Sequence, residues 1–573
     1  MKKIAGVIAA ALMLAAGVVN AQTTYTWDGQ TDGNWGAAAN WDTGSQTWNL
    51  NAIAEFNAVA TSTTNVFLGA ANRIVRGLNF NANADSNIGI NLADSNGTTA
   101  RNLTLFSFPG GAQTINVDSG AAANIRIFGP GNFALGAGTG GSVTNLIINH
   151  SGSGDLSIES QITSATGFGV VKNGSGTLTL APSIASTYKD FTLNDGRVRI
   201  GGTSVSTALG TNIVTLNGGT LSSDSGTARA NSQALVFGGN VKLGHATDNG
   251  ALTLNGTADL GGATRTITAD SAVTLGGVIS NGGLTKDGTG TLTLTNANTY
   301  AGVTTVKTGA LTVKNASALG TTAGNTVVQN GGSLQLLGSN MTISENINIA
   351  GIGAGGTSVG ALRNVLTGGG SNTVSGLVTL DADATIAGGH RLTLTGGVAN
   401  DYVLNHAGGV TLVVDCAITG SGSILKDSTA ELILMGLNTY TGNTIVSNGV
   451  LTLADTAELT FVIGATGVNN KLTGTGTATL AGDFYFDLAG AGTTAGDSWT
   501  IANVSNQTFS STFTVNGFAD AGSDTWTKTI AGSKYYQFSE ESGVLTVIPE
   551  PATIGMLGLG AIFTLMLRRL RTR

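Results

Sequence analysis

The chain has 573 residues and a formal net charge of −7, with 41% hydrophobic, 10% charged and 6% aromatic residues, and with 87 glycines against 5 prolines. Ordinary globular domains contain about 25% charged residues, and a single compact core stops growing at about 250 to 300 residues. The composition therefore excludes a helical bundle, a coiled coil and an ordinary disordered chain, and it favours a long repetitive protein of strands and tight turns.

The first 21 residues have the organisation of a secretory signal peptide. Lys2 and Lys3 precede an apolar run at 4–19, and small residues lie just before the junction of Ala21 and Gln22. We expect signal peptidase to cleave between Ala21 and Gln22, so that the rest of the chain is exported. The alternative is an uncleaved anchor helix.

The C-terminal end contains three consecutive elements. The tripeptide Pro549-Glu550-Pro551 is followed by an uncharged stretch at 552–567 and then by Arg568, Arg569, Arg571 and Arg573. A helix over this stretch would be about 24 Å long, against about 30 Å of bilayer hydrocarbon, so we expect one transmembrane helix that spans with the help of snorkelling arginines. The arginines should remain in the cytoplasm, with the body of the chain on the other side of the membrane.

This ending resembles the PEP-CTERM sorting signal of Gram-negative bacteria. The resemblance implies that Pro549, Glu550 and Pro551 are recognised by exosortase, a membrane transpeptidase-like enzyme, while the helix and arginines hold the chain in the inner membrane. It also implies an association with exopolysaccharide and the biofilm matrix. The expected location is first the inner membrane and then, after sorting, the cell surface or the extracellular space. The alternative is a permanent single-pass anchor.

The exported body is strongly acidic. Without Lys2, Lys3 and the four C-terminal arginines 20 basic residues remain, and without Glu550 32 acidic ones, so the net charge is near −12. Such a body lacks the basic patch that binds phosphates, so no nucleic-acid partner is expected. An anionic polysaccharide would have to bind through hydroxyl groups, aromatic rings or bridging cations.

A motif repeats three times between the two ends. Its copies are KNGSGTLTL at 172–180, KDGTGTLTL at 286–294 and the looser KDSTAELIL at 426–434. Asn-Thr-Tyr follows at 298–300 and 438–440, with Tyr188 as a shifted counterpart in the first copy. Each copy closes with a glycine and a second alternating strand; the glycines are Gly196, Gly309 and Gly449.

The repeat predicts short strands that must stack. Alternation places Leu292 and Leu294 on one face of a strand, with Thr291 and Thr293 on the other. A strand of this length cannot bury its apolar face alone, so it needs a similar neighbour above it. We therefore expect an all-β, right-handed parallel β-helix over residues 61–480, with about 20 residues per coil and strands about 4.8 Å apart. A series of β-sandwiches is the competing fold.

The repeat also resembles the autotransporter-associated β-strand repeat. The resemblance rests on GTGTLTL, NTYAG and GALTV within residues 288–313. It implies a passenger-type β-helix on a bacterial surface.

Aromatic segments flank the repeats. Residues 22–60 contain Trp27, Trp35, Trp41 and Trp48. We expect an N-terminal cap that covers the edge of the first coil, although these rings could instead stack on sugars. Residues 481–547 are expected to form a C-terminal β cap, and residues 548–573 the sorting segment; the aromatic residues of the C-terminal cap include Trp499, Trp526, Tyr535 and Tyr536.

No residue pattern predicts catalysis, a cofactor or a metal. The histidines lack ligand spacing and are expected in turns or on the surface; they are His150, His245, His390 and His406. Asp381 and Asp383 share a strand face, but without a third oxygen-rich partner we expect solvated carboxylates. The glycine-rich runs 136–141 and 351–356 lack Gly-Lys-Ser/Thr and are expected to be corners. Cys416 is expected to be a buried small hydrophobe.

The sequence therefore predicts a non-enzymatic, exported, structural or adhesive protein. Two other classes stay open. A polysaccharide lyase or hydrolase of the parallel β-helix type would need Asp, Lys or Arg clustered on consecutive coils. A carbohydrate-binding protein would use rings such as Trp35 and Trp41.

Overall fold

The computed structural model describes residues 23–27, 34–42, 52–56, 64–81, 87–107, 112–137, 144–164, 167–203, 205–355, 359–366 and 368–549. This part of the chain is all-β apart from two 3-10 turns, Ala38–Asn40 and Val205–Thr207, as the composition predicts. The chain divides into two compact units, residues 1–261 with 270–277, and residues 262–269 with 278–573.

The strands of the first unit form three parallel stacks, in which each strand pairs with a strand of the next coil. The first stack contains Thr24–Trp27, Ile53–Phe56, Gly77–Phe80, Gln113–Val117, Leu146–His150, Val170–Asn173, Phe191–Leu193, Ile213–Leu216, Ala234–Phe237 and the start of Ala258–Ala269. The second contains Thr64–Phe67, Ile88–Asn91, Ile125–Phe128, Asp155–Ile158, Thr177–Leu180, Arg197–Ile200, Thr220–Ser223 and Val241–Leu243. The third contains Arg73–Val75, Leu103–Ser107, Phe133–Ala137 and Ile162–Ser164, and further on Arg229–Asn231, Leu252–Leu254 and Val273–Leu275.

The second unit repeats this arrangement. Its first stack contains Ile279–Asp287, Thr304–Val306, Thr326–Val328, Ile347–Gly351, the start of Val378–Gly388, Val398–Ala399 and Ile418–Thr419, and further on Leu437–Asn438, Glu458–Val462, Asp483–Asp487 and Val515–Asn516. Its second stack contains Thr291–Leu294, Gly309–Val313, Gly332–Leu336, Leu362–Asn364, the end of Val378–Gly388, Val403–His406, Ser423–Lys426, Thr444–Val446 and the starts of Leu472–Leu480 and Ala502–Phe509. Its third stack contains Thr342–Ile343, Asn372–Val374, Leu392–Leu394, Leu412–Val414, Glu431–Leu434, Val450–Leu453 and the ends of Leu472–Leu480 and Ala502–Phe509.

The core lies inside the coils and consists of files of aliphatic side chains. Leu292 pairs with Leu311, which pairs with Leu334, and all three are fully buried. Thr291 and Thr293 are only partly buried, so the predicted division of the strand into an inward and an outward face is confirmed. Each buried leucine stabilises the fold by about 1.5 to 3 kcal/mol relative to an exposed one. Parallel pairing of this kind is that of a β-solenoid, and the β-sandwich alternative is wrong for both units.

A file of asparagines follows one corner of the first unit. Each Nδ2 donates to the Oδ1 of the asparagine one coil earlier, over 2.7 to 2.9 Å, through Asn79, Asn116, Asn149, Asn173, Asn194 and Asn217. The amide groups therefore satisfy one another as the coils stack, which explains why asparagine recurs at these turns.

Aromatic rings cluster at the start of the described chain. Trp27, Trp35 and Trp41 are at most 2% exposed, and the Trp41 indole nitrogen donates to the Trp35 carbonyl at 3.0 Å. Trp27 and Trp41 meet edge to face at 5.1 Å, and Phe56 stacks on Phe80 at 5.1 Å. These buried faces cannot stack on a sugar ring, which favours the cap over the sugar platform. Trp48 lies outside the described residues.

An antiparallel sheet lies near the C-terminal end of the described chain. Its five strands are Ser498–Thr500, Val544–Pro549, Lys534–Ser539, Thr525–Ile530 and Ala519–Asp520, in that order. Phe484, Phe513 and Phe538 form part of a buried aromatic cluster there, with ring centres 4.9 to 6.3 Å apart. Trp499 is fully buried and its indole nitrogen donates to the Ala465 carbonyl at 2.8 Å.

The transmembrane prediction concerns residues outside this description. Among the described residues, no helix is long and apolar enough to cross a membrane. The predicted signal peptide, Gln22 and the uncharged stretch at 552–567 all lie outside the described residues.

Candidate functional site

Each copy of the repeat motif begins with a lysine that points into the coil. Lys172, Lys286 and Lys426 are fully buried. Their direction follows from the alternation of the strand, because Leu284 and Lys286 are two residues apart and share the inward face. A buried ammonium group destabilises a fold unless hydrogen-bond acceptors surround it, so its partners decide its role.

Backbone carbonyl groups of two successive coils surround each ammonium. Lys286 Nζ donates to the carbonyl oxygens of Asp287 at 2.9 Å and Gly288 at 2.6 Å, which belong to its own corner. It also donates to Thr308 O of the next coil at 3.0 Å. One side chain therefore satisfies three carbonyl groups at a corner and joins one coil to the next.

The other two lysines make the same connection. Lys172 Nζ donates to Asn173 O at 2.9 Å, to Gly174 O at 2.6 Å and to Asp195 O of the following coil at 3.4 Å. Lys426 Nζ donates to Ser428 O and, at 2.9 Å, to Asn448 O. Burial lowers the pKa of both Lys172 and Lys426 to about 8, so both ammonium groups keep their charge at neutral pH.

The glycine that closes each repeat is required by this corner. Gly309 has a φ of 66°, and a β-carbon there would lie 2.3 Å from Gly288 O and 2.9 Å from Lys286 Nζ. Gly196 and Gly449 have φ values of 74° and 65° and equally close contacts to their lysines. Only glycine suits both the backbone conformation and the available space.

The Asn-Thr-Tyr segment is buried at another corner. Asn298 accepts a hydrogen bond from Ile279 N of the preceding coil at 2.8 Å and donates to Ala318 O of the following coil at 2.6 Å. Tyr300 is 1% exposed, and its hydroxyl group is 2.7 Å from Thr304 Oγ1. In the first copy Ser186 takes the place of the asparagine and receives a hydrogen bond from Ile162 N at 3.2 Å. The recognisable residues of the repeat therefore build the scaffold rather than a surface site.

Two of the four histidines contradict the prediction that they lie in turns or on the surface. His150 and His406 are fully buried. His406 Nε2 is 2.7 Å from Val410 O, and His406 pairs directly with Lys426 of the next coil. Burial lowers the pKa of each to about 4, so both rings are neutral at pH 7. Alternation with Leu146 and Ile148, or with Leu404, places them on the inward face, which outweighs their polarity.

Glu345 is a buried titratable group that sequence reasoning missed. It is 4% exposed and accepts a hydrogen bond from Thr326 Oγ1 at 2.9 Å. Burial raises the pKa of Glu345 to about 7. Its position two residues before the inward-facing Ile347 is the sequence feature that indicates its direction.

A charged cluster lies on the outer side of the second stack of the first unit. Arg199 approaches Asp155 at 3.2 Å and Asp248 at 4.0 Å, and Arg197 contacts Asp248 at 2.6 Å. Thr179, on the coil between Asp155 and Arg199, donates to Asp155 at 3.1 Å. Burial raises the pKa of Asp155, and the charge of Arg199 opposes this shift. Two carboxylates thus meet one guanidinium group on neighbouring coils.

Two shallow depressions lie along one edge of the second unit. The first has a volume of about 540 Å³ and is lined by Asn330, Gly351, Ile352, Ala382, Asp383 and Tyr402. The second has a volume of about 410 Å³ and is lined by Ser423, Thr441, Gly442, Asn443, Val462, Gly464, Val468, Asn469 and Asn470. Both combine apolar surface with amide or hydroxyl groups.

Asp381 and Asp383 are exposed, as predicted, and do not converge on one ligand. They lie where the pairing register shifts between Ile349 and Gly351 on the neighbouring strand. Asp381 accepts from Asn348 Nδ2 of the preceding coil at 2.9 Å, whereas Asp383 accepts from Val403 N of the following coil at 2.9 Å. In the described parts of the chain, no group of three or more His, Cys, Asp or Glu side chains is arranged to hold a metal ion.

The remaining predicted residues are placed as follows. Pro549 ends the strand Val544–Pro549 and pairs with Lys534, whereas Glu550, Pro551 and the C-terminal arginines Arg568, Arg569, Arg571 and Arg573 lie outside the described residues. Ala21 and Gln22 lie outside them too. Gly351, Gly353 and Gly355 have positive φ values, as corners require, while 138–141 and 356 are not described. Cys416 is a half-buried free thiol, and burial raises its pKa.

Comparison with known proteins identifies the repeat and the C-terminal signal. Residues 170–200, 284–313 and 424–453 match the passenger-associated-transport-repeat family. Residues 547–571 match the PEP-CTERM protein-sorting motif. The chain carries both elements. Each repeat match begins on the strand that contains a buried lysine and ends after the strand that follows the invariant corner glycine, so both resemblances found in the sequence are confirmed.

One curated relative is an adhesin. The chain is 30% identical over 374 residues to "Adhesin BmaC autotransporter" of Brucella suis biovar 1 (strain 1330). The aligned region covers 63% of this chain and 9% of the relative, so the chain spans about a tenth of the length of the relative that it matches. No solved structure has a significant match to the chain.

Proposed function

We propose that this chain is a non-enzymatic protein exported to the cell surface, where its β-solenoid has a structural and adhesive role. The observation that carries the proposal is the use of the repeat residues. Lys286, Gly309 and Tyr300 are consumed in joining coils, so repetition of the motif adds length and outer surface without building a pocket. The repeat matches and the adhesin relative support the surface location.

The proposed organisation follows the sequence. A signal peptide at 1–21 is cleaved by signal peptidase between Ala21 and Gln22, an N-terminal cap occupies 22–60, right-handed solenoid coils occupy 61–480, and a C-terminal cap occupies 481–547. Residues 548–573 form the sorting segment, whose helix anchors the chain in the inner membrane before exosortase acts at Pro549-Glu550-Pro551. The sorting motif supports a role for exosortase, and exopolysaccharide or the biofilm matrix is the proposed destination.

Processing of the C-terminal segment provides the test. Replacement of Pro549, Glu550 and Pro551 by alanine should leave the full-length chain in the membrane fraction and reduce cell attachment to a surface. Mass spectrometry of the chain from wild-type cells should give a C-terminus near Pro549. Replacement of the four arginines by lysine is the matched control, because it keeps the positive charge. Normal release of the alanine variant would contradict the proposal.

A second candidate function is hydrolysis or lysis of an acidic polysaccharide at the charged cluster. Asp155, Arg199 and Asp248 lie on neighbouring coils, which is the arrangement that such an enzyme needs. Release of reducing or unsaturated sugars from polygalacturonate by the purified chain would support this function, provided that the release is lost in Asp155→Asn. Equal release by wild type and variant would exclude the cluster as its source.

A further inference from the structure

A row of polar side chains follows one edge of the second unit, one side chain in each coil. We call it the polar edge, and it consists of Asn330, Asp383, Tyr402, Ser423, Asn443 and Asn470. Each residue lies where the chain passes from the first stack of strands to the second. The residues are far apart in the sequence, and the stacking of the coils brings them into one file.

Hydrogen bonds from successive coils hold this file in place. Asp383 Oδ1 accepts from Val403 N at 2.9 Å, and Ser423 Oγ accepts from Asn443 N at 3.1 Å. Asn443 Oδ1 in turn accepts from Lys471 N at 3.0 Å. Each of these side chains still has acceptor or donor capacity for an outside ligand, because one backbone contact uses only part of it.

Apolar groups are exposed beside these polar groups. Tyr402 and Ile352 are each 44% exposed in the first depression, and Val468 is 62% exposed at the second. An exposed aromatic ring next to a carboxylate and amides is an unusual surface for a chain in which only 6% of residues are aromatic. It combines a flat apolar face with convergent hydrogen-bonding groups, which is the general composition of a ligand site.

We propose that the polar edge binds a neutral polysaccharide, laid along the direction in which the coils stack. The apolar C–H face of one sugar would pack on the Tyr402 ring, and its hydroxyl groups would contact Asp383 and Asn330. Further sugars would contact Ser423, Asn443 and Asn470. Coils stack about 4.8 Å apart, so hydrogen-bonding groups recur along the edge at a spacing suited to successive units of an extended glycan.

The charge of the chain selects among polysaccharides. The body has a net charge near −12, and Asp383 contributes a negative charge at the first depression. An acidic glycan would be repelled there, whereas the hydroxyl groups of a neutral glycan can donate to the Asp383 carboxylate. This inference rests on the proposed function, because it supplies the ligand through which a surface solenoid would adhere.

Binding of defined oligosaccharides to the purified full chain tests the proposal. The probes are cellohexaose, maltohexaose and hexa-N-acetylchitohexaose as neutral glycans, and polygalacturonate as the acidic one. We expect at least one neutral probe to bind and Tyr402→Ala to weaken that binding at least tenfold. Tyr402→Phe should keep it within threefold, because the ring is retained, and Asp383→Asn should weaken it severalfold.

The matched control is Tyr485→Ala, which removes a ring that is 41% exposed but lies outside both depressions. Its binding should equal that of wild type, and both alanine variants should unfold at the wild-type urea concentration. The proposal is overturned if no neutral probe binds, if Tyr402→Ala binds like wild type, or if polygalacturonate is preferred. The assay uses purified chain and no sorting step, so its failure is distinct from failure of the processing experiment.

Discussion

Lys286 and Gly309 lie on successive coils and form one packing unit, in which a β-carbon on Gly309 would be 2.9 Å from the Lys286 ammonium nitrogen. The same relationship joins Lys172 to Gly196 and Lys426 to Gly449. A lysine at the start of the motif and a glycine at its end are therefore two halves of one contact. This explains why the repeat contains both, although about 20 residues separate them in the sequence.

Replacement of Gly309 by alanine should destabilise the second unit by about 2 to 4 kcal/mol. The positive φ alone disfavours a β-carbon by about 1 to 2 kcal/mol, and crowding against Gly288 O and the Lys286 ammonium adds to this. The measurement is urea unfolding followed by hydrogen exchange of peptides that cover 284–313. Gly331→Ala is the matched control, because Gly331 has a φ of 94° but no atom within 4 Å of the new β-carbon. Equal losses in both variants would show that backbone strain, rather than the lysine contact, sets the requirement.

Replacement of Lys286 by methionine should also cost about 2 to 4 kcal/mol, because the carbonyl groups of Asp287, Gly288 and Thr308 lose their donor while they stay buried. Lys307→Met is the control in the same repeat. The Lys307 side chain is 55% exposed and pairs with Asp287 at 3.2 Å, so its loss should cost about 0 to 1 kcal/mol. If the two variants unfold at the same urea concentration, the buried ammonium does not join the coils.

Acid should weaken the second unit through His406. Its pKa is about 4 in the folded chain and 6.5 when unperturbed, so between these values the unfolded chain binds a proton that the folded chain does not. Stability is therefore complete above pH 6.5 and falls as the pH drops towards 4, by on the order of 3 kcal/mol. Urea midpoints between pH 7 and pH 4 measure this. The slope should decrease in His406→Gln and persist in His390→Gln, which changes a half-buried ring.

Glu345 should act in the opposite direction. Its folded pKa is about 7 against an ordinary value of 4.5, so the folded chain retains a proton that the unfolded chain loses between these values. Its contribution is full below pH 4.5 and is lost as the pH rises through 7, by on the order of 3 kcal/mol. Glu345→Gln should therefore stabilise the second unit at pH 8 and change little at pH 4. Destabilisation of this variant at pH 8 would mean that the charged carboxylate is favoured in the core.

Local patterns in the sequence were sufficient for the strand faces. Thr291 to Leu294 alternate, and their burial alternates with them. The same alternation placed Lys286 inward with Leu284, and His150 inward with Ile148. Their charge or polarity argued for the surface, and that argument was wrong because burial depends on partners. The carbonyl groups that receive the Lys286 ammonium come partly from Thr308, on another coil.

The polar edge could not be found in this way. Asp383, Ser423 and Asn443 lie at unequal intervals along the chain, because the connections between strands differ in length from coil to coil. Ile347 pairs with Val378, while Val378 pairs with Val398. A residue's neighbour on the next coil is thus set by backbone pairing and not by a constant repeat length.

The sequence by itself determined the all-β class, the stacking of short strands, the repeat and the sorting motif, because each depends on residues within a few positions of one another. Only the tertiary structure decided which polar groups are enclosed and which exposed groups share an edge. Those properties depend on hydrogen bonds between residues about 20 or more positions apart, and one added residue in a turn changes every contact of the side chains beside it.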